Sequence, residues 1–279
     1  MLDLEANGPF DRVGAASLLR AHSLPGVDRI AADGGRLERL LMVHGAPQPI
    51  ALELTDTGVR VEAAAEVAPA VVRLVRAWFD LDSDIVSIGR ALSRDPVLAP
   101  MIAARPGLRA TRYPAAFEAA VMAVLGQQVS VAAARTFGAR AVAAFGDAGV
   151  GGLGAFPSPE ALLAPDPEAL RSAIGVTRAR AATVRAVAEA FASGLDLDPG
   201  GDPVEQRRLL LAIPGIGPWT ADYLRLRLLG DPDAFPAGDL VLRRALGGIG
   251  TAAAEAASQP WRPHRAHAAF WLWASTGVV

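Results

Sequence analysis

The 279-residue chain contains no cysteine, and its 27 basic residues are all arginine, so lysine is missing as well. Without cysteine there can be no disulfide framework, no cysteine-ligated zinc and no iron–sulfur cluster. Without lysine, no side-chain amine is available for Schiff-base chemistry. The four histidines are read as offering no metal-ligating pair, and no cofactor is expected. Aromatic residues are scarce, with two Tyr and five Trp, so a pair of them at helical spacing is informative. No charge-free apolar run approaches the roughly 18 residues needed to cross a bilayer. The opening MetLeuAspLeuGluAlaAsnGly lacks the basic-then-apolar order of a secretory signal. A soluble, cytoplasmic protein without a membrane partner, expected to be a monomer, follows.

A hydrophobic content of 52% over this length supports two domains or three small ones, each with its own core. The net charge of -2 argues against a protein that simply coats nucleic acid. One local basic region stands out: Arg105, Arg109, Arg112, Arg135 and Arg140 face a single acid, Glu118. A solvated helix surface and a DNA footprint explain it equally well.

Alternation in IleAlaLeuGluLeu (50–54) and GlyValArgValGlu (58–62) around ThrAspThrGly predicts a β-hairpin in an N-terminal α+β unit. From Pro69 the pattern turns Ala-rich, with apolar residues three and four apart. It predicts helices over 69–80, 83–93, 96–104, 114–125, 129–145, 159–164, 167–173, 177–193, 203–212, 218–229, 238–246, 251–257 and 263–275. Segments 146–155 and 196–203 read as loops.

The most specific string is LeuAlaIleProGlyIleGlyProTrpThrAlaAspTyr, Leu211 to Tyr223, followed sixteen residues later by Asp239 in PheProAlaGlyAsp. A helix ends at Ala212, ProGlyIleGly turns the chain, and Pro218 suits the first turn of a second helix. The glycines let main chain approach a ligand, and the amides and dipole of the new helix favour a phosphate. An ordinary αα-hairpin would need glycine too. The full order of residues, however, is the helix-hairpin-helix pattern that grips a DNA backbone without reading sequence. Gly215, Ile216, Gly217 and Thr220 are its candidate contacts, with Arg244, one turn beyond Asp239, as a further phosphate ligand.

A helix-hairpin-helix followed by a Gly/Pro-rich loop and an Asp resembles the base-excision DNA glycosylase superfamily named for those parts. Further stretches resemble its 3-methyladenine DNA glycosylase II, or AlkA, type: 79–84, 104–109, 117–134, 235–244 and 261–273. The resemblance implies a mainly α fold of two helical subdomains with an N-terminal antiparallel-sheet domain. The expected division is 1–88 for the sheet domain, 114–231 for the subdomain with the hairpin, and 89–113 with 232–279 for the one with Asp239. Bifunctional members carry a lysine where this chain has Trp219, so the resemblance implies hydrolysis without strand cleavage. The implied substrate is double-stranded DNA containing 3-methyladenine, 7-methylguanine or related purines.

Breaking an N-glycosidic bond builds positive charge on the sugar, and Asp239 is the candidate anion, in a position that also suits a helix N-cap. A purine alkylated at N3 or N7 already carries positive charge and leaves without an acid, unlike an ordinary glycoside. Stacking on aromatic faces would select such a base. Trp219 and Tyr223, four apart, share one helix face. The resemblance adds Trp273, Leu18 and Val131 to the base pocket and sets Trp271 aside as core. It also puts Gln128 where the family inserts a leucine into the minor groove after base flipping. Gln128 keeps bulk and hydrogen-bonding capacity but gives up apolar stacking. Finally, the resemblance implies a monovalent cation on hairpin carbonyls near Leu211 and Ile213. Two other functions fit the same string: a non-catalytic sensor of damaged DNA, which has no need of Asp239, and a glycosylase for deaminated or oxidised bases.

Overall fold

The computed structural model describes residues 1–147, 149–197 and 199–277. Ala148 and Asp198, within the two expected loops, and the last two residues of the expected C-terminal subdomain lie outside the described residues.

The N-terminal part holds five strands: β1 (Leu2–Glu5), β2 (Arg29–Ile30), β3 (Arg36–Val43), β4 (Ala46–Leu54) and β5 (Gly58–Glu62). They form one antiparallel sheet in the order β1-β5-β4-β3-β2. The predicted hairpin is present, with Leu54 opposite Val59, and β4 begins four residues earlier than the alternation suggested. Ile50, Leu52, Leu54, Val59 and Val61 line the sheet's buried face. Against it pack Val71 and Val75 of the helix Ala68–Trp78 and Ala15, Ala16 and Leu19 of the helix Arg12–His22.

That last helix is absent from the sequence-based expectation. Its residues are ArgValGlyAlaAlaSerLeuLeuArgAlaHis, in which small Gly, Ala and Ser dilute the periodic signal, and it is started by Asp11, whose carboxylate accepts the Gly14 amide at 2.8 Å. Its position matters, because Leu18 joins one core while its neighbours join another.

The remaining elements are helical, and most predicted helices appear within about two residues of their expected limits. One differs in kind. The helix expected over 218–229 is α-helical only from Pro218 to Leu224 and widens into a π turn over Arg225–Leu229, closed by Gly230 in the left-handed region. The wider turn keeps Leu226, Arg227, Leu228 and Leu229 all buried.

Three apolar cores result. One is the sheet core, drawn from residues 4–81. A second contains Ala119 to Leu125, Val184, Val187, Leu210, Ile213, Ile216 and Leu224. A third joins Ile85 to Ala110 with Leu226 and residues 234–273. Tyr223 packs against both helical cores, so the cleft between them opens at its ring. Buried polar contacts tie the parts together: Arg39 of β3 pairs with Glu118 at 2.5 Å and Asp28 at 3.5 Å, and His267 Nε2 lies in hydrogen-bond contact with Asp80 at 2.9 Å.

The local basic region is dismantled by this packing. Arg105 pairs with Asp11, Arg109 donates to the carbonyls of Asp80 and Asn7, Arg135 to that of Ser23, and Arg140 to that of Ile174, while Arg112 lies 3.8 Å from Asp80. Of these arginines Arg109 is buried, Arg105, Arg112 and Arg135 are half-buried struts, and Arg140 is exposed.

Candidate active site

Asp239 caps the helix Leu240–Ala245, with Oδ1 accepting the amides of Val241 and Leu242, both at 2.9 Å. The expected capping role is therefore present, and it does not exhaust the side chain. Trp219 Nε1 donates to Oδ2 at 3.0 Å and Trp273 Nε1 donates to Oδ1 at 3.2 Å. Four N–H groups thus orient one half-buried carboxylate, and hydrogen bonds to a charged acceptor are worth about 1.5–3 kcal/mol each.

The same two indoles form the walls of a cavity of about 180 Å³. Trp219 and Tyr223 stack with centroids 5.4 Å apart and planes at 22°, as their spacing predicts. Trp273 leans on Tyr223 at 6.2 Å and is itself braced edge-on by Phe270. Asp239, Leu18 and Val131 line this cavity with them. Trp271 is buried elsewhere, its Nε1 donating to the Arg105 carbonyl.

The hairpin connects the helices Pro203–Leu211 and Pro218–Leu224. Gly215 has φ +89°, and a Cβ there would lie 2.0 Å from Thr183 Oγ1, so both conformation and space demand glycine. Gly217 precedes Pro218 with open space on the side a Cβ would occupy. Ile213 and Ile216 are buried and anchor the turn.

Thr220 corrects an expectation. It is 2% exposed, and its hydroxyl accepts from Gln127 Nε2 at 3.0 Å, so it cannot meet a phosphate outside. The same Nε2 donates to the Gly215 carbonyl at 3.1 Å, and Arg180 holds the Gln127 carbonyl at 2.5 Å. Gln127 therefore fastens the loop after the helix Ala116–Leu125 to the hairpin. Gln128 itself is exposed, with φ +56°, immediately before the cavity-lining Val129, Ser130 and Val131.

Arg244 is exposed and forms no ion pair among the described residues, whereas Arg243 is engaged by the Ile249 carbonyl at 2.8 Å. At the hairpin, the Ile213 carbonyl already accepts the Ile216 amide at 3.0 Å. Among the described residues no group of three or more His, Asp or Glu could hold a metal. A cation at the hairpin would have to be held by the main-chain oxygens of Leu211 and Ile213.

Sequence reasoning missed the inner wall of the cavity, made by His22, Tyr113, Arg135 and Arg227. Arg227 is 4% exposed, donates to the Thr111 carbonyl and hydroxyl at 2.7 and 3.0 Å, and lies over the rings of Tyr113 and Phe270 at 5.1 and 5.3 Å. Burial, then the charges of Arg227 and Arg135, lowers the His22 pKa to about 3. Burial chiefly, and then Tyr223, pushes the Tyr113 phenol well above its ordinary value. The one available signal was Arg227 between leucines in the run ArgLeuArgLeuLeu, Arg225 to Leu229, four residues beyond the helix-face aromatic Tyr223.

With this geometry in view, family comparison becomes decisive. Residues 1–118 match the AlkA N-terminal domain, and residues 121–260 match the HhH-GPD superfamily base excision DNA repair protein family, the latter alone covering half of the chain. The chain belongs to the HhH-GPD superfamily of base excision DNA repair proteins. Its helix-hairpin-helix is Pro203–Leu224, and its Gly/Pro-rich loop and Asp are Pro236 to Asp239. Among HhH-GPD relatives, the Mycobacterium tuberculosis protein named "Probable bifunctional transcriptional activator/DNA repair enzyme AlkA" is 38% identical over 285 residues. That match covers 98% of this chain but spans only 56% of the relative. Escherichia coli DNA-3-methyladenine glycosylase 2 is 35% identical over 217 residues, covering 77% of this chain and 73% of that protein. The solved 3-methyladenine DNA glycosylase of Archaeoglobus fulgidus superposes with a TM-score of 0.87 over 99% of this chain and 98% of that one. At 23% identity that likeness establishes the shared HhH-GPD fold.

Proposed function

We propose that the chain is a monofunctional DNA glycosylase that flips alkylated purines, such as 3-methyladenine and 7-methylguanine, out of duplex DNA and hydrolyses their N-glycosidic bonds. One observation carries this reading: the Asp239 carboxylate is fixed by two indole N–H groups and two helix amides at the edge of an aromatic cavity. A flipped base entering that cavity stacks on Trp219, Tyr223 and Trp273, and its sugar comes to rest near Asp239. As the C1′–N bond breaks, its electron pair leaves with the base and positive charge grows on the sugar. A preorganised anion stabilises that charge without reorganising. Water then adds to C1′ on the face opposite the departing base and gives up a proton, leaving an abasic site.

Gly215, Gly217 and the first amides of the helix Pro218–Leu224 serve as the backbone grip, and Arg244 supplies an outer phosphate contact. Gln128 fills the space the base has left. This reading divides the chain into a sheet domain (1–88), a hairpin subdomain (114–231) and a subdomain of 89–113 with 232–279, with Leu18, Ile85, Ile88 and Leu226 packing across those bounds into the third core. Trp219 occupies the lyase position and spends its N–H on Asp239, and with lysine absent from the chain no amine is there to attack the sugar.

The experiment is incubation of the protein with methylated duplex DNA, chromatography of the freed bases and electrophoresis of the strand before and after alkali. Release of 3-methyladenine or 7-methylguanine, with breaks only after alkali, is expected. Tight binding to damaged duplex without release would instead make the protein a sensor, and breaks before alkali would overturn the monofunctional assignment.

A further inference from the structure

The cavity has opposite charges at its two ends. At the mouth stands Asp239. At the inner wall stand Arg227 and Arg135, which donate to carbonyls and hydroxyls and form no ion pair among the described residues. His22, whose protonation burial and then both arginines oppose, lines the same cavity and also a smaller chamber of about 40 Å³ shared with Tyr113 and Arg227.

His22 Nδ1 and the Tyr113 hydroxyl lie 3.3 Å apart. A phenol is a stronger acid than a neutral imidazole N–H, and imidazole nitrogen is the better acceptor, which favours the tautomer in which Tyr113 donates to Nδ1. The imidazole proton then resides on Nε2, across the ring, as a donor. Because the ring stays uncharged through the neutral range, this donor does not vary there with pH.

Resting on the glycosylase reading above, we propose that His22, held by Tyr113 and backed by Arg227 and Arg135, is a specificity-determining residue that stabilises uncharged 6-oxopurines as they leave. The chemistry of the two substrate classes differs at the leaving group. A purine alkylated at N3 or N7 departs neutral, because the electron pair of the broken C1′–N9 bond cancels its positive charge. An uncharged 6-oxopurine departs as an anion, with negative charge spread over the ring and O6, and takes a proton from solvent after release. Asp239 at the sugar and the cationic inner wall at the base match that charge separation end for end. The Nε2–H of His22 supplies a neutral hydrogen bond to the growing anion. Measured from free substrate, a cationic lesion gains little from these groups, because they oppose entry of its positive ring by as much as they favour loss of that charge.

The test compares single-turnover release of hypoxanthine and 7-methylguanine from duplexes of the same sequence by the wild-type chain, His22→Phe and His22→Gln, with the fold of each variant checked by thermal melting. Protein is in excess of DNA but below saturation, so that the rate reports the path from free substrate. In His22→Phe the ratio of hypoxanthine to 7-methylguanine release falls about tenfold or more. In His22→Gln, which restores a neutral donor, it recovers most of that loss. A ratio in folded His22→Phe within about twofold of wild type overturns the proposal, as does a Gln variant no better than the Phe variant. A wild-type chain that frees 7-methylguanine but no hypoxanthine overturns it while leaving the glycosylase reading intact. One that frees neither overturns both.

Discussion

Two carboxylates in this chain are restrained to a similar degree and differ in what lies beside them. Asp239 accepts two helix amides and two indole N–H groups. Asp80 accepts the Ser83 hydroxyl at 2.6 Å and the Ala110 amide at 3.3 Å, faces His267 at 2.9 Å and has Arg112 at 3.8 Å. Asp80 is 4% exposed and seals the junction of the N-terminal unit with the C-terminal helix, whereas Asp239 borders an open aromatic cavity. Donor count fixes a charge in place; access to a void decides whether that charge can act on something else. In the sequence both are simply Asp at the end of an expected helix, Asp80 closing 69–80 and Asp239 near the start of 238–246.

The sharpest test of that contrast is a pair of substitutions with opposite signatures. Asp239→Asn removes the charge while keeping an N-cap residue. Base release should fall by about 10²–10³-fold or more, with the melting temperature within a few degrees of wild type, as checked by single-turnover chromatography and calorimetry. Full activity in that variant removes Asp239 from the chemistry. Asp80→Ala should do the reverse, costing about 3–5 kcal/mol in urea denaturation by leaving buried partners uncompensated, with base release per folded molecule kept within about threefold.

Acid sharpens the comparison further. Burial pushes the Asp80 carboxyl up, but the hydrogen bond and charge of His267, with Ser83 and Arg112, outweigh it, and the net shift is downward. A depressed carboxyl contributes stability above its unfolded value, near pH 4, that is lost as pH falls below it. Asp80→Asn should flatten acid unfolding in that window. His22 works in a different window. Its pKa is lowered to about 3, so the folded chain resists protonation and stability drops as pH falls from about 6.5 towards 3, by at most about 1.4 kcal/mol per pH unit. His22→Gln should remove that slope in denaturant titrations between those limits.

Smaller effects probe the rim of the cavity. Trp219→Ala deletes one ring and one N–H to Asp239, so turnover of 7-methylguanine-containing duplex should fall more than binding to undamaged duplex, the cation–π part alone being about 0.5–2 kcal/mol. Equal losses in a gel-shift and a turnover assay would argue against a base pocket. Arg244→Ala should weaken duplex binding across sequences and reduce the salt slope by about 1; an unchanged slope returns Arg244 to the solvent.

Legibility followed locality. The hairpin, the Gly/Pro-rich loop and Asp239 lie within one short stretch of chain, and Trp219 with Tyr223 are one helical turn apart, so periodicity and glycine chemistry exposed them. The inner wall draws His22 from the end of a weakly amphipathic helix, Tyr113 from an extended segment and Arg227 from a π turn. Nothing local relates those three residues. Thr220 was misread for a similar reason: its partner Gln127 is distant in sequence and comes alongside only through packing of the two helices. The arginines of 105–145 likewise read as one cluster, whereas each has its partner in a different part of the chain.

Gln127 carries one more consequence. By bonding the Gly215 carbonyl and the Thr220 hydroxyl with one amide nitrogen, while Arg180 clamps its own carbonyl, it makes the tip bearing Gln128 and the glycine turn a single rigid piece. In the proposed reading, the span from the gripping turn to the inserting Gln128 is then a built-in ruler, and a duplex whose local geometry does not fit that length would meet a probe unable to stretch towards it.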